Sequence, residues 1–423
     1  MSKTYRLTTV SCFIGIFVQA IICNLTPILF IPMMDMYHLS FGDLGVLAGV
    51  NFIAQVVADI LFSGMLDKKG LRFFVMPTCL IACFGLVLFA MAPVLFPRHI
   101  MAGLLIATII SAMSSGLLEV TLSPLVDAIP SDSKGAAMSL MHSFYAWGQA
   151  VTIIVTTLCL FAFGNEHWQW IVLGWAVVPM VCFFLFLRSP FPPMAPVEQT
   201  QGMRQLVFRP FYIVALLAIL FGAASELIMN QWASAFMERG LSLPKVVGDL
   251  IGMCGFALMM GCGRTMFGVW GKKWDMHKAL VLCSAAAVVC YILVALSPWP
   301  ALNIIACVIS GFTVCLLWPG TLVVSSERYP KAGAWLFAIL AAAGDIGASF
   351  GSWVAGIVVD NSAGSWMVNT IQTLIGTTTE QATIRLGILV GAVFASCALI
   401  CHLVLLRMRD KKSEKQKQIQ LTV

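Results

Sequence analysis

The chain has 423 residues, 60% of them hydrophobic and only 10% charged, whereas a soluble domain carries about 25% charged residues. So little polar side chain cannot cover a water-soluble surface of this size, which excludes a disordered chain, a nucleic-acid-binding module and an ordinary cytosolic enzyme. The net charge of +6 comes from 25 Lys and Arg against 19 Asp and Glu, and the cations fall in loops, not on a nucleic-acid-binding face.

A membrane-spanning helix needs about 20 apolar residues. The N-terminus reads Met1 to Arg6 and then turns apolar without a small-residue cleavage site, so it is expected to be a retained first span. Apolar runs follow at about 8–32, 45–66, 72–94, 100–128, 135–163, 168–187, 210–238, 247–269, 277–297, 300–326, 333–358 and 383–406. The predicted fold is therefore all-α, with 12 transmembrane helices. With both termini inside, twenty of the 25 cations fall in inner loops and tails. Four lie outside (Arg98, Arg239, Lys245 and Arg385), and Arg264 falls within a span. That asymmetry places both termini in the cytoplasm of a multi-pass plasma (cell inner) membrane protein. Trp168 and Trp299 mark predicted outer edges, and Trp270 and Trp274 an inner edge, as interfacial anchors. The 14 cysteines contain no CxxC and sit at helical spacing inside apolar runs, as Cys79 and Cys83 do, so they read as small apolar fillers.

The longest inner loop, 188–209, is rich in Pro and Gln and separates six spans from six. The expected organisation is a first six-helix bundle over 1–187, a cytoplasmic linker over 188–209, a second bundle over 210–406 and a basic tail over 407–423. The bundles echo each other. Ser63 to Gly70 follows the second span and Phe267 to Trp274 follows the eighth, with Gly and a Lys pair recurring at an offset of 204 residues. Two parallel repeats of this kind imply a rocking transporter with its site between the halves, near mid-membrane.

The stretch from Ser63 to Arg72 resembles the loop motif of the major facilitator superfamily, G-x-L-x-D-[RK]-x-G-[RK]-[RK]. Asp67, Lys68, Gly70 and Arg72 match it, while Ser63, Met65 and Leu71 depart from it. The resemblance implies two pseudo-symmetric six-helix bundles and an inner-face latch made by this loop. The second copy has Gly271 in place of the Asp. A finer similarity is to the fucose–proton symporter branch. It is carried by Gly116-Leu-Leu-Glu119, by the run His142 to Gly148, and by Glu226, Asn230, Gln231 and Trp232. It implies that Glu119 carries protons. The branch's second acid, in the first span, is absent, and Asn24-Leu-Thr26-Pro27 stands there instead.

Four acids fall within spans: Asp59, Glu119, Glu226 and Asp345. A charge at the bilayer centre costs a few kcal/mol or more and persists where it faces a wet cavity or a partner. Desolvation favours the neutral form of a carboxylic acid in general, which is the property a proton-coupled carrier uses. Glu226, Asn230 and Gln231 share one broad face of span seven, and Trp232 follows. Carboxylate, amides and indole suit a polyhydroxylated ligand, by hydrogen bonds and ring stacking; the plainer reading is a structural Glu bonded to a neighbouring helix. His142, Tyr145 and Gln149 continue along one face of span five, and His142 is either a proton relay or a packing residue. Asn24 either lines the cavity or marks a kink at Pro27. Asp345 supplies the missing coupling acid, or pairs with Arg264, or belongs to an inner gate. Asp59 and Arg264 sit near equivalent positions of the two repeats and read as gate or motif-support charges.

Gly347-Ala-Ser349-Phe-Gly351 fits G-x-S-x-G, but inside an apolar span it reads as a small-residue packing stripe, not a hydrolase elbow. No metal motif, ATP-binding loop or cofactor signature is present. The sequence thus points to a secondary transporter, not an enzyme. It is expected to act as a monomer in the lipid bilayer and to move a small polar solute, a sugar or sugar-like compound, with protons. The expected solute contacts are Asn24, Tyr145, Gln149, Glu226, Asn230, Gln231 and Trp232. The expected proton carriers are Glu119, Asp345 and His142. The gate and loop residues are Asp59, Asp67, Lys68, Gly70, Arg72 and Arg264. The alternative is an exporter of amphipathic organic compounds or drugs.

Overall fold

Helix α1 (Arg6–Ile28) shows how this chain bends its spans. Pro27 has no N–H and cannot continue the ladder, and α1 stops one residue later. The Leu29 N–H is then shared between the carbonyls of Leu25 (3.3 Å) and Thr26 (3.1 Å). The chain resumes as α2 (Phe30–Tyr37), which ends on His38 at φ 55°. The computed structural model describes residues 3–39, 41–131, 133–193, 206–271, 274–330, 332 and 334–409, and those residues contain no strand.

The first group of spans continues with α3 (Phe41–Lys69), α4 (Leu71–Leu95), α5 (Ile100–Ala128) and α6 (Lys134–Phe163). The sixth span is broken into α7 (Trp168–Trp175) and α8 (Val177–Arg188). Pro179 lies four residues beyond Trp175 and cannot donate to its carbonyl, which explains the irregular turn at Ala176. The second group holds α9 (Pro210–Ala235), α10 (Cys254–Trp270) and α11 (Met276–Leu296). A wide π turn, Gly248–Met253, leads into α10. The tenth span is again split, into α12 (Pro300–Val314) and α13 (Leu317–Arg328). Here Pro319 frees the Cys315 carbonyl, a point that matters below. Helices α14 (Ala334–Asn361) and α16 (Thr379–Arg407) complete the set, with α15 (Trp366–Ile375) between them.

Among the described residues, eleven helical segments are long and apolar enough to cross a membrane, and α3 carries a shorter apolar stretch, Gly49–Phe62. Large apolar side chains such as Ile53, Phe84 and Leu282 are exposed along the outside, where lipid replaces water as the solvent. The Trp anchors divide. Trp299, Trp270 and Trp274 are exposed, but Trp168 is fully buried and meets Phe89 and Tyr37 edge-on. It is a core residue, contrary to its expected interfacial role. Arg385, expected in an outer loop, is also buried. Its Nη1 donates to the carbonyls of Ala295 (3.2 Å) and Ser297 (3.0 Å), capping the C-terminal end of α11. All fourteen cysteines are free.

The two bundles meet along two long seams, α3 against α14 and α6 against α10. Within the second bundle the small-residue stripe of α14 lies directly on α9. A Cβ at Gly347 would collide with the Leu220 carbonyl oxygen, and one at Gly351 would come within 2.7 Å of that of Ala224. Only glycine permits that approach.

Candidate functional site

Where the seams converge, side chains from both bundles line a cavity of about 50 Å³. The first bundle contributes Gln19 and Cys23 from α1, Phe52 and Gln55 from α3, Glu119 from α5, and His142 and Tyr145 from α6. The second contributes Glu226 and Leu227 from α9, Arg264 from α10, Trp318 from α13, and Asp345 and Ala348 from α14. The i, i+3 and i, i+4 spacings within α1, α3, α6 and α14 put each pair on one helix face. A space of this size holds about one or two waters.

The floor of the cavity is a charged hub. Arg264 Nη2 donates to Glu226 Oε1 at 3.1 Å and Oε2 at 3.3 Å, and both residues are at least 95% buried. The same guanidinium donates through Nη1 to the His142 carbonyl (3.2 Å) and through Nε to the Cys315 carbonyl (2.9 Å). That last acceptor is available because Pro319, four residues on, brings no N–H to claim it. One arginine therefore ties α10 to α6, α9 and the break between α12 and α13. Breaking such a buried pair by removing one partner is costly, because the other charge stays buried and uncompensated.

The opposite wall is an amide network. Gln19 Nε2 donates to Glu119 Oε2. Gln55 Nε2 donates to Asn51 Oδ1 (2.7 Å), and Ser115 Oγ donates to Gln55 Oε1 (2.9 Å). The Trp318 indole lies beside the Glu119 carboxyl from the second bundle. Deeper in the α3–α14 seam, the Asp59 and Asp345 carboxyl groups face each other. No N–H or O–H of another described residue reaches either Asp59 oxygen.

The sequence-predicted residues sort into rings. Glu119, His142, Tyr145, Glu226, Arg264 and Asp345 line the cavity. Asn24, Gln149 and Asn230 sit behind the lining. Asn24 Nδ2 donates to Tyr145 Oη at 3.3 Å and to the Ala20 carbonyl at 2.9 Å, and Gln149 Nε2 donates to Asn230 Oδ1 across the bundles. Gln231 and Trp232 do not line this cavity; Trp232 faces Gly356 instead. Arg264, placed by sequence near the inner end of its span among gate charges, is in the central site, paired with Glu226 and not with Asp345. In the loop motif, Gly70 has φ 79°, a conformation that L side chains resist. Arg72 donates to the Leu187 carbonyl (3.3 Å) and covers the Phe191 ring, both at the end of the same bundle. The side chains of Asp67 and Lys68 lie outside the described residues. Gln19, Cys23, Gln55 and Trp318 escaped the sequence reading. An uncharged Gln within an apolar run carries little signal on its own, but Gln19 and Gln55 each stand mid-span and were legible in principle.

The sequence matches the family model described as Major Facilitator Superfamily over residues 12–352 and 250–422. A search among curated proteins returns no match. Solved structures do resemble the fold. The transporter FucP in the outward conformation aligns at TM-score 0.72 and 14% identity, covering 95% of this chain and 99% of that one. The proton:xylose symporter XylE bound to 6-bromo-6-deoxy-D-glucose aligns at TM-score 0.80 and 13% identity, covering 96% of each chain. A partially occluded inward-open form of the E. coli xylose transporter XylE aligns at TM-score 0.70 and 10% identity, covering 97% of this chain and 98% of that one. At such identities the likeness concerns the fold.

Proposed function

The chain belongs to the major facilitator superfamily, a multi-pass membrane transporter and not an enzyme, and we propose that it moves a small polar solute, sugar or sugar-like, together with protons. One observation carries this reading: at the meeting point of two six-helix bundles, three carboxyl side chains, an arginine, a histidine, a tyrosine, two glutamines and a tryptophan face one cavity. Polar groups that face each other at mid-membrane are what a carrier needs to replace a solute's water. Drug-sized ligands occupy roughly 300–1,000 Å³, so the cavity of about 50 Å³ is a contracted state that widens when the bundles rock. The fucose:proton and proton:xylose symporters among the structural neighbours favour the same solute class.

In this reading Glu226, Arg264, Tyr145 and Gln19 bind hydroxyls, and Trp318 offers the apolar face of its indole. Glu119 carries the proton, with Asp345 and His142 as the next candidates. Asn24, Gln149 and Asn230 hold the lining in place. The chain acts as a monomer in the plasma membrane with both termini cytoplasmic, divided at the linker 188–209. A second reading, export of amphipathic organic compounds, is favoured by one feature only: acids outnumber bases around the cavity, which suits a cation.

The test is uptake into proteoliposomes under an imposed pH gradient, after a thermal-shift screen of sugars against lipophilic cations. The expected result is stabilisation by a sugar and gradient-driven uptake. Glu119→Gln is expected to abolish the response to the gradient while leaving solute exchange intact. Gradient-driven uptake that persists in that variant removes Glu119 from the role. Stabilisation by lipophilic cations alone selects the second reading.

A further inference from the structure

From the geometry of the α3–α14 seam we infer that one proton held between Asp59 and Asp345 clasps the two bundles together, and that its release lets this seam open. The inference rests on the proton-coupled reading for its role in transport, but the clasp itself stands on the contact. Asp59 belongs to the first bundle and Asp345 to the second. They are 0% and 4% exposed, and the packing of α3 on α14 brings their carboxyl groups face to face. A carboxylate has no hydrogen to give, so a bond between two carboxyl groups requires a proton on one of them. Asp59 has no other donor, and Asp345 Oδ2 likewise has none outside the pair. Asp59 cannot swing away either. Its Oδ1 is packed against Gly116 of α5, where a Cβ would stand 2.9 Å from it.

The surroundings leave the pair to itself. From α5 comes the Glu119 carboxyl. From α1 comes the Cys23 thiol. Across the cavity stand His142 and Tyr145 of α6, Glu226 of α9 and Arg264 of α10. The one cation among them is taken by Glu226. His142, 4% exposed, lines the same cavity, and no described residue hydrogen-bonds to its Nε2. The sign of the linkage follows. The closed seam binds one proton more than a seam opened with both aspartates ionised, so rising pH favours opening. Two facing carboxylates then repel where one shared proton had joined them.

The test uses the purified full chain and needs no solute. Infrared titration should show a protonated-carboxyl band, distinct from the one that Glu119→Gln removes, that both Asp59→Asn and Asp345→Asn remove, because the two residues share one proton. Hydrogen exchange over residues 52–62 and 341–349, corrected for the intrinsic pH dependence of amide exchange, should rise by about tenfold per pH unit in the wild type, the slope of a one-proton linkage. In Asp345→Asn the amide donates permanently to Asp59, so the slope should vanish. If that distinct band survives either substitution, or if wild-type exchange is flat with pH, the clasp is overturned; the wild-type slope decides the matter even if a variant does not fold. If band and slope appear while a pH gradient fails to drive uptake, the clasp stands and the coupled-transport reading falls.

Discussion

Along the α6–α10 seam the polar contacts that cross between bundles carry permanent donors. Ser139 Oγ donates to the Arg264 carbonyl at 2.8 Å, Trp147 Nε1 donates to Thr265 Oγ1 at 3.0 Å, and Arg264 itself donates to the His142 carbonyl. None of those bonds depends on a proton that can leave at ordinary pH. The α3–α14 seam is built from two acids and depends on one that can. A carrier that rocks needs one contact that stays made while another breaks. The difference assigns the hinge to α6–α10 and the releasable side to α3–α14.

The largest expected effect breaks the hinge. Arg264→Leu leaves Glu226 buried without its cation, a loss of about 3–5 kcal/mol, and thermal unfolding of the purified protein should show it as a steep fall in Tm. The double variant Arg264→Leu/Glu226→Leu should recover most of that fall, since an apolar pair of similar volume leaves no orphaned charge. A single variant as stable as the wild type shows that the hub does not hold this seam.

Much of this contrast was legible before any coordinates. Four acids and one arginine within apolar spans, with the offset of 204 residues, located two equivalent regions of the repeats, because charge inside an apolar run is a strong signal. The pairing of those charges was not legible. Arg264 could equally have met Asp345 by its place in the chain. What decided for Glu226 is the break at Pro319, which presents the Cys315 carbonyl to Arg264 Nε and fixes the guanidinium over α9. Side-chain direction on a bent helix is a tertiary property. The same limit hid the burial of Trp168 and turned Asn24, Gln149 and Asn230 into supports behind the lining. The fold itself needed only hydrophobic length and loop charge, which are local.

A middle-sized effect sharpens the comparison by steric means. Gly268 of α10 faces α6 so closely that an added Cβ would stand 2.9 Å from Leu140 Cβ and 3.1 Å from its backbone. Gly268→Ala should therefore cost about 1–3 kcal/mol through overpacking, read as a lower Tm. Exchange over the α3–α14 seam should keep its pH slope, because the clasp belongs to the other seam. A slope that disappears shows that the two seams move as one unit.

The smallest effect isolates a single bond of the hinge. Trp147→Phe removes the donor to Thr265 Oγ1 and little else, since a phenyl ring still fills the space against Gly261, whose missing Cβ leaves room for the indole. The net worth of one neutral hydrogen bond is about 1 kcal/mol, so Tm should fall by a few degrees at most. Sites far apart without shared partners contribute additively to within about 0.5 kcal/mol. Trp147→Phe combined with Asp345→Asn should then show the sum of the two single effects on stability. Coupling well beyond that margin would mean that the hinge and the clasp read each other's state through the cavity between them, with Arg264, bonded to α6 and Glu226 at once, as the residue placed to carry it.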